Sequence, residues 1–292
     1  MPGMVEAEAM SESAIEVSPL SGALGAEVSG IDLAAPLSEK AIRDVRQAFL
    51  DHLVIVFRNQ TLTPRKQVEI AHLFGKPAIY PFLKGLEGAP EVNELLKTEE
   101  QTVNFGGSWH SDTAYKEHPD MGTLLYALEV PPAGGDTLFA NMYLAYEALS
   151  GGMKTLLEGL IAVYSSEKGY GGARKERMQS LAGLKDAVPE KVATFEAEHP
   201  VVRTHPETGR KGLYVSKSHT LCFKGMTEEE STPLIDHLAE FAVRPEFTCR
   251  VRWQPRTLAI WDNRCTQHFA VNDYSGKRRR MHRVTIEGDV PV

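Results

Sequence analysis

Two short motifs, Trp109-His110-Ser111-Asp112 and Trp261-Asp262-Asn263-Arg264-Cys265-Thr266-Gln267-His268, lie far apart in the chain. If they act together, the fold must bring distant segments side by side. A β-barrel or double sheet does this, because a residue about 155 positions further on can close a site from another strand. Together the motifs offer two imidazoles and one carboxylate. That set can hold one face of an octahedral Fe(II) and leave the opposite face open. In a strand, residues two apart point the same way, so His110 and Asp112 are expected to aim inward and Ser111 outward. His268 is placed after a strand over Leu258 to Trp261. Taken singly these signals are weak: a His-x-Asp pair is common, and Cys265 reads as a small core hydrophobe.

The rest of the chain agrees with such an architecture. Short strands are expected at Leu53–Phe57, Thr123–Leu128, Asp136–Ala140, Lys211–Val215, Thr248–Trp253, Thr257–Trp261 and His282–Ile286. The run Leu53–Phe57 is apolar throughout and should be buried on both faces. Helices are expected from Ser38, with Ile42, Val45, Phe49 and Leu50 on one side, and after the Thr63-Pro64 start signal, ending at Gly75. Others are expected near Leu144–Leu149, Met153–Leu160 and Glu228–Phe241. Many short strands with inserted helices predict a mainly β fold with helical insertions.

With 292 residues, 42% of them hydrophobic and 24% charged, the chain can bury a sizeable core. Residues 1–14 are expected to be disordered and 15–292 to form a single domain. A net charge of −7 argues against a general nucleic-acid binder. Cys222, Cys249 and Cys265 are too few and too widely spaced for a disulfide framework. No secretory leader and no bilayer-length apolar run are visible, so a soluble cytoplasmic protein with no membrane partner is expected. The segment 165–190, rich in Gly, Ser and charged residues, reads equally as a surface excursion or as a lid over a pocket.

Trp109-His110-Ser111-Asp112-Thr113, Pro131-Pro132-Ala133-Gly134-Gly135-Asp136-Thr137-Leu138-Phe139, Trp261 to His268, and then Arg279 and Arg283, resemble the taurine dioxygenase and 2,4-dichlorophenoxyacetate dioxygenase (TauD/TfdA) family in order and spacing. The resemblance runs from about Val17 to Asp289. It implies a double-stranded β-helix (jelly-roll, cupin-like) core that uses Fe(II), 2-oxoglutarate and O2, with His110, Asp112 and His268 as metal ligands. The activity implied is hydroxylation coupled to oxidative decarboxylation of 2-oxoglutarate to succinate and CO2. Relatives of this type also imply a homo-oligomer, a dimer or tetramer.

2-Oxoglutarate is a dicarboxylate, and its distal carboxylate needs a buried cation, ideally a planar guanidinium fork. The resemblance gives that role to Arg279, helped by the Thr137 hydroxyl. Lys277-Arg278-Arg279-Arg280 alone looks like a solvated basic run. In a strand, however, alternation exposes Arg278 and Arg280 and turns Arg279, Met281 and Arg283 to one face. Arg283 matches the family arginine near the iron-bound end of 2-oxoglutarate and the anionic head of the substrate. The substrate implied is a small organic anion: an alkylsulfonate, sulfate ester or phenoxyalkanoate, with C–S or C–O cleavage after hydroxylation.

The pocket departs from the taurine enzymes. Lys76-Pro77-Ala78-Ile79-Tyr80-Pro81 keeps a tyrosine but not their histidine, and glycine takes the place of their asparagine. Tyr80, Asn104 and His219 are the candidate substrate contacts. Arg203 and Lys217 are expected at the surface. Two other functions fit the bare residues: a non-catalytic jelly-roll sensor of a metal or small acid, and a zinc hydrolase. The hydrolase reading lacks the general-base glutamate of a His-Glu-x-x-His motif.

Overall fold

The computed structural model describes residues 15–168 and 194–292. The expected disorder at 1–14 and most of the expected lid, 169–190, lie outside the described residues. At the near end of that segment, Ser165 closes a strand, and both it and Ser166 are buried.

The apolar run lies near the middle of the main sheet. Val54–Phe57 pairs antiparallel with Leu258–Asp262, which pairs with Gly122–Glu129, which in turn pairs with Arg279–Ile286. Ala26–Ser29 and Glu16–Pro19 extend one edge. Asn93–Lys97 and Pro77–Ala78 both pair with Arg279–Ile286 at the other. A smaller sheet has Thr137–Asn141 between Thr248–Val251 and Thr266–Ala270. The strand Ile161–Ser165 lies between Glu196–Pro200 and Thr220–Phe223 in a further sheet.

The period of two explains why the central strands look uniformly apolar. Val54, Val56, Leu125, Ala127, Ala259, Trp261 and Met281 face one core, shared with Phe139, Ala140 and Cys249 of the smaller sheet. Ile55, Phe57, Leu124, Tyr126, Leu258, Ile260, Val284 and Ile286 face a second core, closed by the first two helices. Covering both faces removes the polar alternation that a half-solvated sheet would show. The result is a mainly β jelly-roll core with its first two helices against the outside of the main sheet and the later helices packed on the first core.

The first helix, Glu39–His52, starts where Ser38 Oγ accepts the Ala41 N–H and buries Val45, Ala48 and Phe49. Each such buried side chain contributes about 1.5–3 kcal/mol for the larger residues. It ends on Leu53, whose φ of 65° is left-handed. Leu53 is therefore a helix cap rather than the first residue of the strand, which begins at Val54. The second helix, Pro64–His72, is capped by Thr63 and stops before Gly75. The long late helix, Glu228–Ala242, opens with a reciprocal Thr227–Glu230 capping box. The Asn93–Lys97 strand, with no strong period in the sequence, is added to the expected set.

Candidate metal and dicarboxylate site

His110 and His268 are brought together by the backbone. Each N–H donates to the other's carbonyl, at 3.2 Å from His110 and 2.8 Å from His268. This isolated antiparallel bridge places the two rings 4.2 Å apart. Asp112 Oδ1 lies 3.8 Å from His110 Nε2 and 3.9 Å from His268 Nε2. One ligand atom from each residue fits within 4.8 Å of the others, the span of a single ion's coordination sphere.

The route to this geometry differs from the strand alternation expected for His110 and Asp112. Only His110 makes a bridge; the chain then turns, and Asp112 is a turn residue. Ser111 is buried and donates to the Thr266 carbonyl at 2.7 Å, pinning the turn to the strand that carries His268. Thr113 sits at φ 51°, a left-handed conformation costly for a β-branched residue. Such strain is of order 1–3 kcal/mol and persists only where the surroundings impose it. Here Thr113 Oγ1 accepts the Asp120 N–H at 2.8 Å, and its carbonyl accepts the Lys116 N–H.

The three side chains are oriented by their neighbours. His110 Nδ1 donates to the Ser108 carbonyl at 2.7 Å, which turns Nε2 towards Asp112. Asp112 Oδ2 accepts from Thr123 Oγ1 at 2.7 Å. Thr123 accepts in turn from Asn263 Nδ2 at 3.1 Å. Asn263 Oδ1 accepts both the Asp112 N–H (3.3 Å) and Trp261 Nε1 (2.9 Å). One carboxylate oxygen is therefore engaged and the other is turned to the histidines. Replacing Thr123 with Val keeps the shape and removes this hold. The expected result is a loss in Fe(II) affinity of about 10–100-fold, read by titration; wild-type affinity would show that the hydroxyl does not orient Asp112.

Burial pushes the Asp112 carboxyl up, but His268, Arg283, His110 and the Thr123 hydroxyl outweigh it and hold the group well below the usual range. His268 is lowered as well, to about 3, but here burial is itself the main cause, with the adjacent His110 second. At neutral pH it is a neutral imidazole, the form that ligates. Arg283, with Nη1 4.0 Å from Asp112 Oδ1, is then the standing positive partner of Asp112.

Burial also lowers His199 and His282. The unfolded chain takes up protons on these imidazoles below about pH 6.5 while the fold resists them, so acid favours unfolding. For His268 this window runs from about 6.5 down to its folded value of about 3 and costs about 1.4 kcal/mol per pH unit. Metal-free protein should melt progressively lower from pH 7 to 5.5. A flat melting temperature would contradict this.

The turn Asp262–Cys265 joins the main sheet to the strand bearing His268. Arg264 Nε and Nη2 hold both Asp262 oxygens, at 2.8 and 2.6 Å. His205 reaches Asp262 at 3.1 Å, and Glu207 bridges Arg264 to Arg46. His205, Asp262 and Cys265 are close enough together to suggest a second metal. With both carboxylate oxygens engaged by Arg264 and the thiol pushed well above its ordinary value by burial, this cluster is a structural ion pair.

Arg279 and Arg283 share the inner face of their strand and enter the same cavity as the triad. Its wall includes His110, Asp112, Thr137, His268, Arg279 and Arg283. Arg280 is exposed and pairs with Glu94, while Arg278 is half-buried on Glu129 rather than fully exposed. Nε and Nη2 of both inward arginines are buried with no hydrogen-bond partner among the described residues. Burial pushes the Arg279 guanidinium below its ordinary value. Unsatisfied buried cations are costly, and a molecule carrying two carboxylates supplies what they lack. Thr137 Oγ1 accepts from Trp253 Nε1 at 3.0 Å, leaving its own proton to donate into the cavity.

Tyr80 is buried against Arg283, whose Cζ lies 3.9 Å from the ring centre, with Phe105 on another side at 5.4 Å. His219 meets His110 edge-on at 5.9 Å. Asn104 instead donates to the Ala270 and Val271 carbonyls (3.0 and 3.3 Å) and lines a neighbouring cavity, not that of the triad. Lys217 is exposed on Asp236 as expected. Arg203 is not at the surface: it is buried, paired with Asp289 at 3.1 Å and set over Tyr214. Trp253 and Thr123 carry no sequence signal for their roles, whereas Asn263 stood inside the quoted motif without one.

Comparison with known proteins adds the following. Residues 16–285 match the family model described as "Taurine catabolism dioxygenase TauD, TfdA family". An alkylsulfatase of Acinetobacter baylyi is 37% identical, over 94% of this chain and 86% of that protein. The alpha-ketoglutarate-dependent sulfate ester dioxygenase of Pseudomonas putida is 35% identical, over 95% and 91%. The alpha-ketoglutarate-dependent 2,4-dichlorophenoxyacetate dioxygenase of Cupriavidus pinatubonensis is 30% identical, over 95% and 99%. A solved taurine dioxygenase from Burkholderia xenovorans superposes with a TM-score of 0.79 at 35% identity, over 95% of this chain and 91% of that one.

Proposed function

The chain belongs to the TauD/TfdA family of dioxygenases, and from that premise we propose how its own residues share the work. It is an Fe(II)- and 2-oxoglutarate-dependent dioxygenase of small organic anions. The metal and 2-oxoglutarate, with O2, supply the oxidising chemistry, in which the cosubstrate becomes succinate and CO2 and a substrate C–H is hydroxylated. His110, Asp112 and His268 would hold the metal, and Asp112 would offer it the oxygen that Thr123 leaves free. Arg279 and the Thr137 hydroxyl take the distal carboxylate of 2-oxoglutarate. Arg283 would serve the other end of the cosubstrate and the head group of the substrate, with Tyr80 packed against it to fix its direction.

The observation that carries this reading is the joint burial, in one cavity, of the three-residue ligand face and two guanidinium groups with unsatisfied donors. The family assignment favours it over a sensor or a zinc hydrolase. Sulfate esters are the proposed substrate class, because the first two relatives are named for them. Hydroxylating the carbon next to the ester oxygen gives an unstable product that separates into an aldehyde and sulfate. The unpaired cysteines suit a cytoplasmic setting, and light scattering tests the homo-oligomer implied by the resemblance.

Two measurements test the proposal. Anaerobic Fe(II) with 2-oxoglutarate should produce a visible charge-transfer band that zinc does not produce. A panel of alkyl sulfates, alkylsulfonates and phenoxyalkanoates should show alkyl sulfates yielding sulfate and succinate in equal amounts. Succinate formation coupled only to another class would move the substrate assignment; no Fe(II)-dependent succinate with any of them would remove the enzyme reading.

A further inference from the structure

Beside the triad cavity lies a second, small one, with Lys97, Gln101, Asn104, Tyr274 and Arg279 in its wall. The two cavities share Arg279, Leu95 and Phe105, but none of His110, Asp112, Thr137 or His268 lines the second. Lys97 is the direct cross-strand partner of Arg279. Partners of this kind stand with Cβ atoms about 5 Å apart on one face, where like charges repel.

Lys97 is only 5% exposed, and its Nζ has no hydrogen-bond partner among the described residues. It sits 4.4 Å from the centre of the Tyr274 ring. Two acids exert a field here, and both are engaged elsewhere. Glu99 is exposed and reaches Arg278 at 3.9 Å, and Asp136 is bound by Arg250. Gln101 Oε1 accepts the Thr98 N–H at 2.7 Å, so its side-chain NH2 is what it can offer the cavity. The chain has thus gathered donors and two positive charges with no carboxylate between them. One negative charge from 2-oxoglutarate at Arg279 leaves one positive charge over. The apolar walls of Leu95, Leu96 and Phe105 suit a weakly hydrated monoanion better than a strongly hydrated dianion.

We propose that this cavity is a binding site for a small monovalent anion of the chloride type, held between Lys97 and Arg279, and that its occupation opposes 2-oxoglutarate. The second half rests on the reading that Arg279 holds the distal carboxylate. An anion here neutralises part of the charge that attracts that carboxylate, and the opposition is reciprocal.

The test begins with metal-free protein and no 2-oxoglutarate. At constant ionic strength, chloride, bromide and nitrate should raise the melting temperature saturably, by about 3 °C at tenfold excess over Kd, while gluconate and sulfate should not. Lys97→Met should lose this response and melt higher than the wild type in gluconate, since an unpaired buried charge is gone; Lys97→Gln serves as the second variant. With the loaded enzyme, chloride should raise the KM for 2-oxoglutarate by about fivefold in the wild type and not in Lys97→Met, with kcat unchanged. Equal chloride responses in the wild type and both variants would overturn the site. So would an absent response together with a KM in Lys97→Met as poor as that of an Arg279 variant, which would make Lys97 a direct contact of the cosubstrate. A protein that ignores 2-oxoglutarate leaves the thermal arm able to decide the anion site by itself.

Discussion

Asp112→Ala should abolish the visible band of the Fe(II)–2-oxoglutarate complex and lower turnover by at least about 10³-fold. The charged member of the ligand face is lost, and two neutral imidazoles on a shared backbone bridge remain. The change also leaves Thr123 Oγ1 without its acceptor and Arg283 without its nearest carboxylate. Leaving such groups unsatisfied costs about 1–3 kcal/mol, so part of any loss could come from folding. Asp112→Asn separates the two effects. It keeps an acceptor for Thr123 and nearly the same volume, so it should fold like the wild type and still lose the band. A full band and normal turnover in Asp112→Asn would remove Asp112 from the ligand set.

The second large effect has opposite signs in two measurements. Arg279→Leu should raise the KM for 2-oxoglutarate by about 10²–10³-fold, the usual result of removing one side of a buried charge pair. In the metal-free protein the same change should raise the melting temperature, because the guanidinium it removes is buried with two nitrogens unsatisfied. Arg279→Lys should recover little of the affinity, since an ammonium cannot reproduce the planar fork. Arg278→Leu, at the adjacent residue but paired with Glu129 outside the cavity, should change KM less than twofold. If both variants alter KM equally, the basic run acts as a diffuse field and not through one inward residue.

Much of the fold was legible where local chemistry dictates local structure. Ser38, Thr63 and Thr227 supply hydroxyl caps, and the helices start where those caps place them. The inward turn of Arg279 and Arg283 could be read from alternation alone, because a covered strand leaves its residues no other pair of directions. The placement of Asp112 could not. It depends on a left-handed Thr113 that only the Asp120 contact and the surrounding turn impose, and no period in the sequence encodes that. The burial of Arg203 is hidden from the sequence for a related reason: its partner Asp289 lies far along the chain, so only the folded structure shows that the charge is paired. Lys97 belongs to a strand with no clear pattern and gains its character from the arginine beside it. The roles of Thr123 and Trp253 likewise arise from contacts between sheets.

The order of strands in the main sheet sets when this protein can exist at all. Leu258–Asp262 fills the gap between Val54–Phe57 and Gly122–Glu129, and Arg279–Ile286 fills the next. A nascent chain leaving the ribosome therefore carries early strands with apolar faces and open edges, and their central neighbours are made well after them. His110 likewise waits for His268 to complete its backbone bridge. Sheet closure and ligand assembly become a single late event, so removing the strand Arg279–Ile286 should cost the whole core, and nascent chains should depend on holding factors until that strand has emerged.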